Sequence, residues 1–580
     1  MEKRFGLGRL YGRRDALRLG LGTVAGLALA SPLLAACGDD AGADPTATEA
    51  GGAPGAGDPT ATEPSKSVDS TATDASGLEP SATEAAVAEP SPTEAAGGVE
   101  ISSDEFVVAC ALEPVDLLPW FGGYDQALIM RQIYQTLVEP RLTINANGAV
   151  EVELTPWLAE SWELVEPTRW RFKLREGVKF HNGEEFNAEV AKFSYETMTD
   201  PEILDSVGKT SFLRTIEAWE VVDEYTIDVV TTIPDTELPG LSIRIGFAAL
   251  PKQFIEANGI EALAETPIGT GPYAFQSWER GQQVLLSRYD DYWNPDGPNM
   301  ASVRYIFREQ SSVRAQTVQA GEADFAYNIG AEQAATLDNF VVGGGFQSTS
   351  IRINNQIAPT NDIRLRRAIN YAIDRGAIVD AIFGGAATPL AFFGFQPVAL
   401  EPFPYDPDQA AELIKDAELE GTELELVYGE GRIPEEDQLA EIYKASLEAI
   451  GLSITLTKVE PRQYNEIGGQ PFEEQPPLYM ETTSSGNFGE IASGLYDKYG
   501  CEGTGTFCDP DFDAEFQELQ GLTGQERLDL LQSIAERLHE EETPRAWVAA
   551  VQQVHGLAAN VETTFPANTY IRFDDIKVVG

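Results

Sequence analysis

The pattern of apolar and polar residues between Leu158 and Met198 predicts a strand, a turn and a helix. Trp170, Phe172 and Leu174 alternate with basic residues, and this period of two marks a strand with one buried face. The residues that make the other face cationic are Arg169, Arg171, Lys173 and Arg175. The stretch therefore indicates a protein of mixed α/β class.

A turn and a helix cap follow this strand. His181-Asn182-Gly183 has turn chemistry, because glycine adopts a positive φ without a steric penalty. Asn187 is placed to cap a helix, since a side-chain oxygen at that point accepts a bond from a free backbone N–H. The predicted apolar face of the helix comprises Val190, Phe193, Thr197 and Met198.

Further apolar runs predict the rest of the first half of the chain. Residues 106–110 are typical of a buried strand, with a loop over 111–123 after it. A helix then carries Ile129, Ile133 and Leu137 on one face. Residues 267–273 are rich in turn residues and resemble a hinge, and an alternating strand follows at 284–288.

In the second half, a helix is predicted from Asn361 with Leu365, Ile369, Ala372 and Ile373 on one stripe and Gly384-Gly385 after its end. Asp406 and Pro407 are predicted to open another helix, with Gln409 completing a capping-box-like pair. Residues 424–428, 439–450 and 452–456 predict a strand, a helix and a parallel strand. The chain is predicted to close with a helix around 527–539 and strands around 547–551 and 570–579.

Several of these segments resemble one protein family. The motifs are LAESWE followed by FKLREGVKFHNGEEFNAEV, then IGTGPY and DYW, and finally NDIRLRRAINYAIDRGAIVDAIFGG. They are similar to the signatures of the family 5 extracellular solute-binding proteins, the ligand-capturing components of ABC importers. The resemblance covers roughly residues 106–580. It implies an α/β, two-lobed periplasmic-binding-protein-like fold (type II, cluster C) with an additional domain inserted in the first lobe.

The resemblance also divides the folded body. Lobe I is expected to comprise residues 101–145, 268–345 and 545–580. The additional domain is expected over 146–267 and lobe II over 346–544. At 580 residues the chain exceeds what one hydrophobic core usually covers, which agrees with this division.

Residues 1–37 predict an export signal. The first 36 residues carry six Lys/Arg against two acids, and a moderately apolar run leads to Leu34-Ala35-Ala36-Cys37. That ending resembles the lipobox of bacterial lipoproteins, which implies that Cys37 is lipidated; an ordinary thiol is the alternative. Arg13-Arg14 resembles a twin-arginine signal with atypical flanks, so both that route and the Sec route stay open.

Residues 38–100 predict a disordered tether. Its motif PTATEA recurs with small changes, and thirteen acids stand against one lysine. Such a segment buries too little apolar surface to offset the entropy of ordering it. Its root-mean-square reach is roughly 45 Å for a flexible chain of this length.

Composition excludes several classes of function. The formal net charge of −53 repels nucleic acid, so no nucleic-acid partner is expected. Three scattered histidines do not support a zinc or nickel site, and no metal or cofactor is expected. A hydrolase with paired carboxylates is the rival from another class, but no motif singles out such a pair or a nucleophile elbow. An enzyme is therefore not expected.

Three loops are predicted to meet a ligand, because ligands of open α/β sheets lie beyond the carboxyl ends of the strands. They follow the strands at 107–110, 424–428 and 477–480. The candidate ligand-binding residues are Trp120, Phe121, Tyr124, Arg432, Ser485, Asn487 and Phe488. The aromatic ones could equally belong to a core.

Two of these loops bear on the ligand class. Arg432 falls where dipeptide-binding relatives place an arginine that pairs with the ligand carboxylate; a solvated loop arginine is the alternative. Peptide-binding relatives also have a tryptophan and, three residues later, an aspartate for the ligand ammonium. Thr482 and Ser485 occupy those places here, which leaves Glu481 or Glu490 as substitutes. The departure puts peptide specificity in doubt.

The remaining cysteines are assigned from their surroundings and from the resemblance. Cys501 and Cys508 bracket a glycine-containing loop, and dipeptide-binding relatives have a disulfide loop in this region. A disulfide is expected there, with two free thiols or a metal clip as alternatives. Cys110 lies in an apolar strand and is expected to be an inert core residue.

The resemblance to family 5, together with the predicted export signal, therefore implies a monomeric, lipid-anchored binding protein outside the cytoplasmic membrane. It would capture a peptide or peptide-like organic solute by hinge closure and deliver it to ABC permease subunits. An oligosaccharide or another non-peptide solute is the alternative ligand, and a sensor is the alternative partner.

Overall fold

The structure is a computed structural model that describes residues 9–12, 102–119, 124–144, 150–200, 215–241, 248–393, 398–430, 433–483, 491–503, 505–563 and 571–579. All of these residues belong to one compact unit. The predicted lipidation site Cys37 and the predicted tether lie outside the described residues.

Most strands form one large sheet of twelve. They are β1 Arg9–Gly12, β2 Ser102–Cys110, β9 Tyr273–Glu279, β10 Gln283–Arg288, β11 Met300–Phe307, β12 Phe325–Ala326, β13 Asn339–Ile353, β14 Ala387–Pro389, β15 Glu423–Gly429, β16 Ser453–Val459, β17 Leu478–Thr483 and β18 Arg545–Leu557. Their order is β16-β15-β17-β13-β18-β12-β2-β11-β10-β9, with β1 paired to β13 and β14 paired to β18.

The two longest strands, β13 and β18, run antiparallel through the middle of this sheet. On one side, β12, β2 and β11 run parallel to each other. On the other side, β17, β15 and β16 also run parallel to each other. Each half of the sheet thus has its own set of parallel strands, and β13 and β18 connect the two halves.

Eight strands form three smaller sheets. Strands β3 Val138–Ile144 and β4 Val150–Pro156 pair, as do β19 Val561–Thr563 and β20 Ile576–Val578. The third sheet has the order β5-β6-β8-β7, from β5 Ala159–Glu166, β6 Arg169–Leu174, β7 Ile216–Asp223 and β8 Thr226–Thr231. The strand predicted from the alternating aromatic and basic residues is β6, which confirms that prediction.

The described α-helices are α1 Tyr124–Ile133, α2 Ala188–Met198, α3 Leu238–Leu241, α4 Lys252–Asn258, α5 Ser311–Gln319, α6 Ala331–Ala334, α7 Ile363–Ala372, α8 Arg375–Ile382, α9 Pro407–Asp416, α10 Glu436–Ala449, α11 Pro461–Gly468, α12 Ile491–Tyr499, α13 Pro510–Gly521 and α14 Gly524–Glu536. Two predicted caps are confirmed: Asn187 accepts from the Val190 N–H, and Asp406 accepts from the Gln409 N–H. None of the helices in the described ranges combines the length and the apolar character needed to cross a bilayer.

The apolar side chains form several separate cores. One core contains Phe172 and Phe186 and lies in the region predicted as the additional domain. A second, with Val108, lies under β2 and β11. A third, with Ile369 and Leu426, and a neighbouring fourth core lie in the region predicted as lobe II.

Two of the sequence signatures pack against each other through His181. Its Nε2 donates to Gly271 O at 2.9 Å, and its Nδ1 accepts from the Gly269 N–H at 3.4 Å. Burial lowers the pKa of His181 to about 4, so the ring is neutral at pH 7. The two glycines allow close approach: a Cβ on Gly269 would lie 2.0 Å from Ile133 O. The segment resembling a hinge is therefore a tightly packed connection.

Several sequence-based predictions differ from the structure, among them Leu137, which lies after the end of α1 and not on its apolar face. In 571–579, the described part of the strand predicted at 570–579, a 3₁₀ turn at Phe573–Asp575 precedes the short strand β20. A separate helix, α8, intervenes between α7 and the glycines at 384–385, because Asp374 starts a new helix by capping the Ala377 N–H. Strand β17 continues to Thr483, so the third ligand loop begins three residues later than predicted.

Candidate binding site

A cavity of about 620 Å³ lies where the two sets of parallel strands end. Ala111 follows β2, Glu309 follows β11 and Asn328 follows β12, and all three line the cavity. Gly429 ends β15 and Lys458 lies near the end of β16 on the opposite wall. Because these carboxyl ends face each other, the cavity occupies the position where open α/β sheets bind ligands.

The cavity wall formed by residues 309–342 is held together by a buried arginine, Arg314, in α5. Its guanidinium donates to four backbone carbonyls, namely those of Arg308, Glu309, Tyr327 and Asn328. The side chain is 2% exposed, and burial lowers its pKa. Arg314 therefore fixes the loops after β11 and β12 to each other and places a positive charge beneath the cavity.

Asn328 is held on the same wall in a left-handed backbone conformation. Its φ is 48°, which is uncommon for a residue with a side chain. The Asn328 N–H donates to His555 Nδ1 at 3.0 Å, and Asn328 O accepts from Arg314 at 2.7 Å. Burial lowers the pKa of His555 to about 3, so the imidazole stays neutral and keeps its acceptor nitrogen. The N–H and the carbonyl of Asn328 are thus held by His555 and Arg314.

The opposite wall carries the acidic start of α10. Glu435 reaches across the cavity, since a Cβ on Gly330 would lie 2.9 Å from Glu435 Oε1. Burial raises the pKa of Glu435 to about 7, and the charge of Arg314 opposes that shift. A carboxyl group with this pKa in a cavity is a candidate for ligand binding.

The charge of the cavity is mainly negative. Among the described lining residues, the acids are Glu309, Glu332, Glu430, Glu435, Glu436 and Asp437, and the bases are Arg314 and Lys458. Lys458 pairs with Glu430 at 3.4 Å and with Asp437 at 3.1 Å. A ligand with a positive group therefore fits this lining better than an anion does.

The predicted ligand residues lie at or beyond the edge of the described structure. Trp120, Phe121, Arg432, Ser485, Asn487 and Phe488 fall outside the described residues. Tyr124 is the first residue of α1. Two of the three predicted loops nevertheless border the cavity: Ala111 begins the first, and Glu430 and Ile433 flank Gly431-Arg432. Sequence reasoning did not single out Glu435 or Asn328, whose roles depend on contacts distant in the chain.

Glu481 does not face a ligand, which corrects one sequence-based alternative. It lies within β17 and pairs with Arg545 at 2.6 Å and with Lys498 at 2.7 Å. Burial alone would raise the pKa of Glu481, but the charges of Arg545 and Lys498 outweigh it and lower the pKa well below the usual value. This carboxylate is committed to a buried ion network and is not available for a ligand ammonium.

Local geometry shows the state of Cys110, Cys501 and Cys508. Cys501 and Cys508 form a disulfide with their Cα atoms 4.3 Å apart. Cys110 is a buried free thiol in the core under β2. Within the part of the chain that the structure describes, no group of three or more His, Cys, Asp or Glu residues could hold a metal ion.

Comparison with known proteins identifies the family. The sequence profile described as "Bacterial extracellular solute-binding proteins, family 5 Middle" matches residues 153–502, which is more than half of the chain. The chain belongs to this family. The resemblance of the sequence signatures to family 5 is thereby confirmed, and members of the family are solute-binding proteins rather than enzymes.

Two of the relatives are named glutathione-binding proteins. The glutathione-binding protein GsiB of Shigella boydii serotype 4 is 30% identical over 279 residues, which are 46% of this chain and 54% of that relative. GsiB of Escherichia coli K12 matches with the same identity and coverage. The chain thus spans about half the length of the curated relatives it matches.

A solved structure of a periplasmic binding protein has the same fold. The periplasmic binding protein DppA of Helicobacter pylori in complex with the peptide STSA superimposes with a TM-score of 0.72 at 22% identity, covering 82% of this chain and 98% of DppA. The mixed α/β, two-lobed fold predicted from the sequence is confirmed.

Proposed function

We propose that this family 5 protein is the lipid-anchored, extracytoplasmic binding component of an ABC importer. It captures a peptide or peptide-like organic solute between two lobes and delivers it to permease subunits. The export signal and the lipobox ending at Cys37 support the location and the anchor. The lobes follow the sequence-based division, with lobe I over 101–145, 268–345 and 545–580, the additional domain over 146–267, and lobe II over 346–544.

The observation that carries the proposal is the cavity between the carboxyl ends of two sets of strands. Its volume of about 620 Å³ falls within the range of roughly 300–1,000 Å³ that is typical of small-ligand sites. Val554 and Asn328 line one side, and Ile433 and Glu435 line the other. A solute bound there touches both lobes, so binding and hinge closure are thermodynamically coupled.

A peptide-like ligand is favoured by the charge of the cavity and by the relatives. The acidic lining suits an ammonium group, and Glu435 is an acid that extends towards Gly330 on the other wall. Glutathione in GsiB and the peptide STSA in DppA are ligands of the same chemical class. An amino group beside a peptide or amide backbone is therefore the expected recognition unit.

The loops that border the cavity supply the remaining proposed contacts. Arg432 lies in the sequence between the lining residues Glu430 and Ile433, and we propose that it pairs with a ligand carboxylate through a bidentate, charge-assisted contact. The other proposed contacts are Trp120, Phe121, Tyr124, Ser485, Asn487 and Phe488. Binding needs no covalent step, because orientation and closure suffice for transport.

Native mass spectrometry of the protein purified without added ligand tests the proposal. A closed binding protein retains captured solute, so an additional mass that fragments as a short peptide is expected. An adduct with a saccharide mass would overturn the peptide assignment and establish the alternative solute. If the protein carries no adduct, calorimetric titration with glutathione, dipeptides and oligosaccharides decides, and the absence of binding to all of them would overturn the function.

A further inference from the structure

The additional domain contacts lobe II through a short polar segment, Asp235–Glu237. The next residue, Leu238, belongs to the core of the additional domain. On the other side, Ile491 and Ala492 belong to a core of lobe II. The Thr236 N–H and hydroxyl both donate to Gln520 O, each at 2.9 Å. Two separately packed parts of the molecule are thus joined by hydrogen bonds.

Glu237 makes the central contact. Its two carboxylate oxygens accept from the N–H groups of Ala492 at 2.8 Å and Ser493 at 3.1 Å. These are first-turn amides of α12, which have no partner within the helix itself. Arg527 also donates to Glu237, and the glutamate is only 4% exposed. The helix is therefore capped by an acid that lies 255 residues away in the sequence.

Asp235 orders this segment from the side of the additional domain. Its carboxylate accepts from the Thr215 hydroxyl at 2.8 Å, from Gln520 Nε2 at 2.7 Å and from the Glu237 N–H at 2.9 Å. Its backbone carbonyl accepts from Trp170 Nε1 at 2.7 Å. Because Trp170 lies in β6, the segment is attached directly to the sheet of the additional domain.

The capped helix begins immediately after the third ligand loop. Residues 484–490 carry the proposed ligand contacts Ser485, Asn487 and Phe488, and α12 starts at Ile491. The position of the α12 N-terminus therefore sets where this loop ends. The contact with Glu237 fixes that position only while the segment Asp235–Glu237 and α12 lie together.

We propose that Glu237 is a positioning residue for ligand capture, which forms a latch with Ala492, Ser493 and Arg527 when the lobes close. The latch rests on the proposed function, and it gives the additional domain a role in that function. The contact consists of charged and polar groups, which water can solvate when the lobes separate. An apolar contact of the same extent would resist opening.

The test compares latch variants with a matched capping variant. Glu237→Ala removes the acceptor, Glu237→Gln keeps one amide acceptor, and Arg527→Gln removes the cation. The control is Glu184→Ala, because Glu184 caps α4 through the Gln253 and Phe254 amides within the additional domain. Stopped-flow dissociation of glutathione, used as the probe, measures retention, and small-angle scattering without ligand measures opening.

Glu237→Ala is expected to release glutathione about ten- to hundredfold faster, the scale of a lost charged hydrogen bond. Glu237→Gln is expected to fall between Glu237→Ala and wild type, and Glu184→Ala to match wild type. The melting temperatures of Glu237→Ala and Glu184→Ala are expected to be equal. Without ligand, however, Glu237→Ala is expected to have the larger radius of gyration.

Unchanged dissociation and an unchanged radius of gyration in Glu237→Ala would overturn the latch while leaving solute binding intact. If wild-type protein binds neither glutathione nor other peptides, the peptide assignment fails. In that case the small-angle scattering comparison of Glu237→Ala with Glu184→Ala still tests the latch, because it needs no ligand.

Discussion

At the scale of single residues, the cavity depends on groups whose pKa values are shifted by burial. Glu435 and His555 both belong to this class, and both act through contacts with distant parts of the chain. The carboxyl of Glu435 holds a proton more readily than usual, whereas the imidazole of His555 holds one less readily. Each shift makes a separate prediction about pH.

The first prediction concerns the pH dependence of binding. With its pKa near 7, Glu435 is mostly ionised at pH 8 and mostly neutral at pH 6. If the ionised form attracts a ligand ammonium, affinity for a peptide should fall about tenfold between these pH values. Glu435→Gln should weaken binding at pH 8 and flatten the profile. Calorimetric titration at both pH values measures this.

Asp437→Asn serves as the control, because Asp437 lines the same cavity but is exposed and pairs with Lys458. It should keep the wild-type profile. A Glu435→Gln profile as steep as that of wild type would show that another group carries the pH dependence.

The second prediction concerns stability in acid. The pKa of His555 is about 3 in the folded protein and about 6.5 in an unfolded chain. Below pH 6.5 the unfolded state binds a proton that the folded state refuses, so stability falls as the pH falls towards 3. Between pH 7.5 and 5 this residue alone should cost roughly 2 kcal/mol.

His555→Asn keeps an acceptor for the Asn328 N–H but removes the titrating ring. Its free energy of unfolding should therefore fall by roughly 2 kcal/mol less than that of wild type over the same interval. Urea denaturation at pH 7.5 and 5 provides the comparison. Equal losses in the two proteins would contradict the assignment, and the acids with raised pKa affect both proteins alike.

At the scale of elements, the close packing of IGTGPY against α1 makes a third prediction. A Cβ on Gly271 would lie 2.3 Å from Gln132 O, an atom of the backbone that cannot move aside. Gly271→Ala should therefore destabilise the protein by about 1–3 kcal/mol, as overpacking does. Thermal denaturation measures the loss.

Gly376→Ala is the matched control, because Gly376 lies in α8 and its nearest foreign atom would be 3.6 Å from the added Cβ. Alanine is more favourable than glycine in a helix, so this variant should be at least as stable as wild type. A Gly271→Ala protein as stable as Gly376→Ala would show that the segment yields to the extra atom.

Local patterns predicted the elements well where the determining contacts are close in the chain. Asn187 and Asp406 cap helices through residues three positions away, and both were identified from sequence. The strands at 424–428 and 452–456 are parallel as predicted, since a strand, a helix and a strand of that length leave few alternatives. The two-lobed fold was predicted from the family resemblance, because periodicity alone does not indicate how elements are grouped into lobes.

The missed features depend on contacts across hundreds of residues. Glu481 pairs with Arg545, and Glu237 caps α12, although nothing close to either residue in the sequence indicates these contacts. The segment at 570–579 has strand-like composition but bends into a 3₁₀ turn, where Arg572 pairs with Glu139. Sequence patterning carries no information about such partners, so the cavity lining could be predicted only in part.

At the scale of the whole molecule, β13 and β18 pass from one set of parallel strands to the other. Their pairing is interrupted between Val342 and Phe346 and again between Thr349 and Ser350. Irregular pairing lets strands bend, so these interruptions are suitable places for hinge closure. Opening about them would separate Glu435 from Gly330 and Glu237 from α12 together, which would couple the cavity to the latch.

The final prediction concerns the attachment of the whole molecule to the membrane. If Cys37 is lipidated and is the first residue of the mature chain, wild-type protein should sediment with membranes. Cys37→Ser should then appear in the soluble fraction with its binding activity unchanged, because the site lies in the body well beyond residues 38–100. Cell fractionation with immunoblotting measures the partition.

Cys110→Ala is the control, since Cys110 is a buried free thiol that a lipid cannot reach, and its variant should stay with the membranes. Retention of Cys37→Ser in the membrane fraction would mean that the export segment itself, rather than a lipid, anchors the protein.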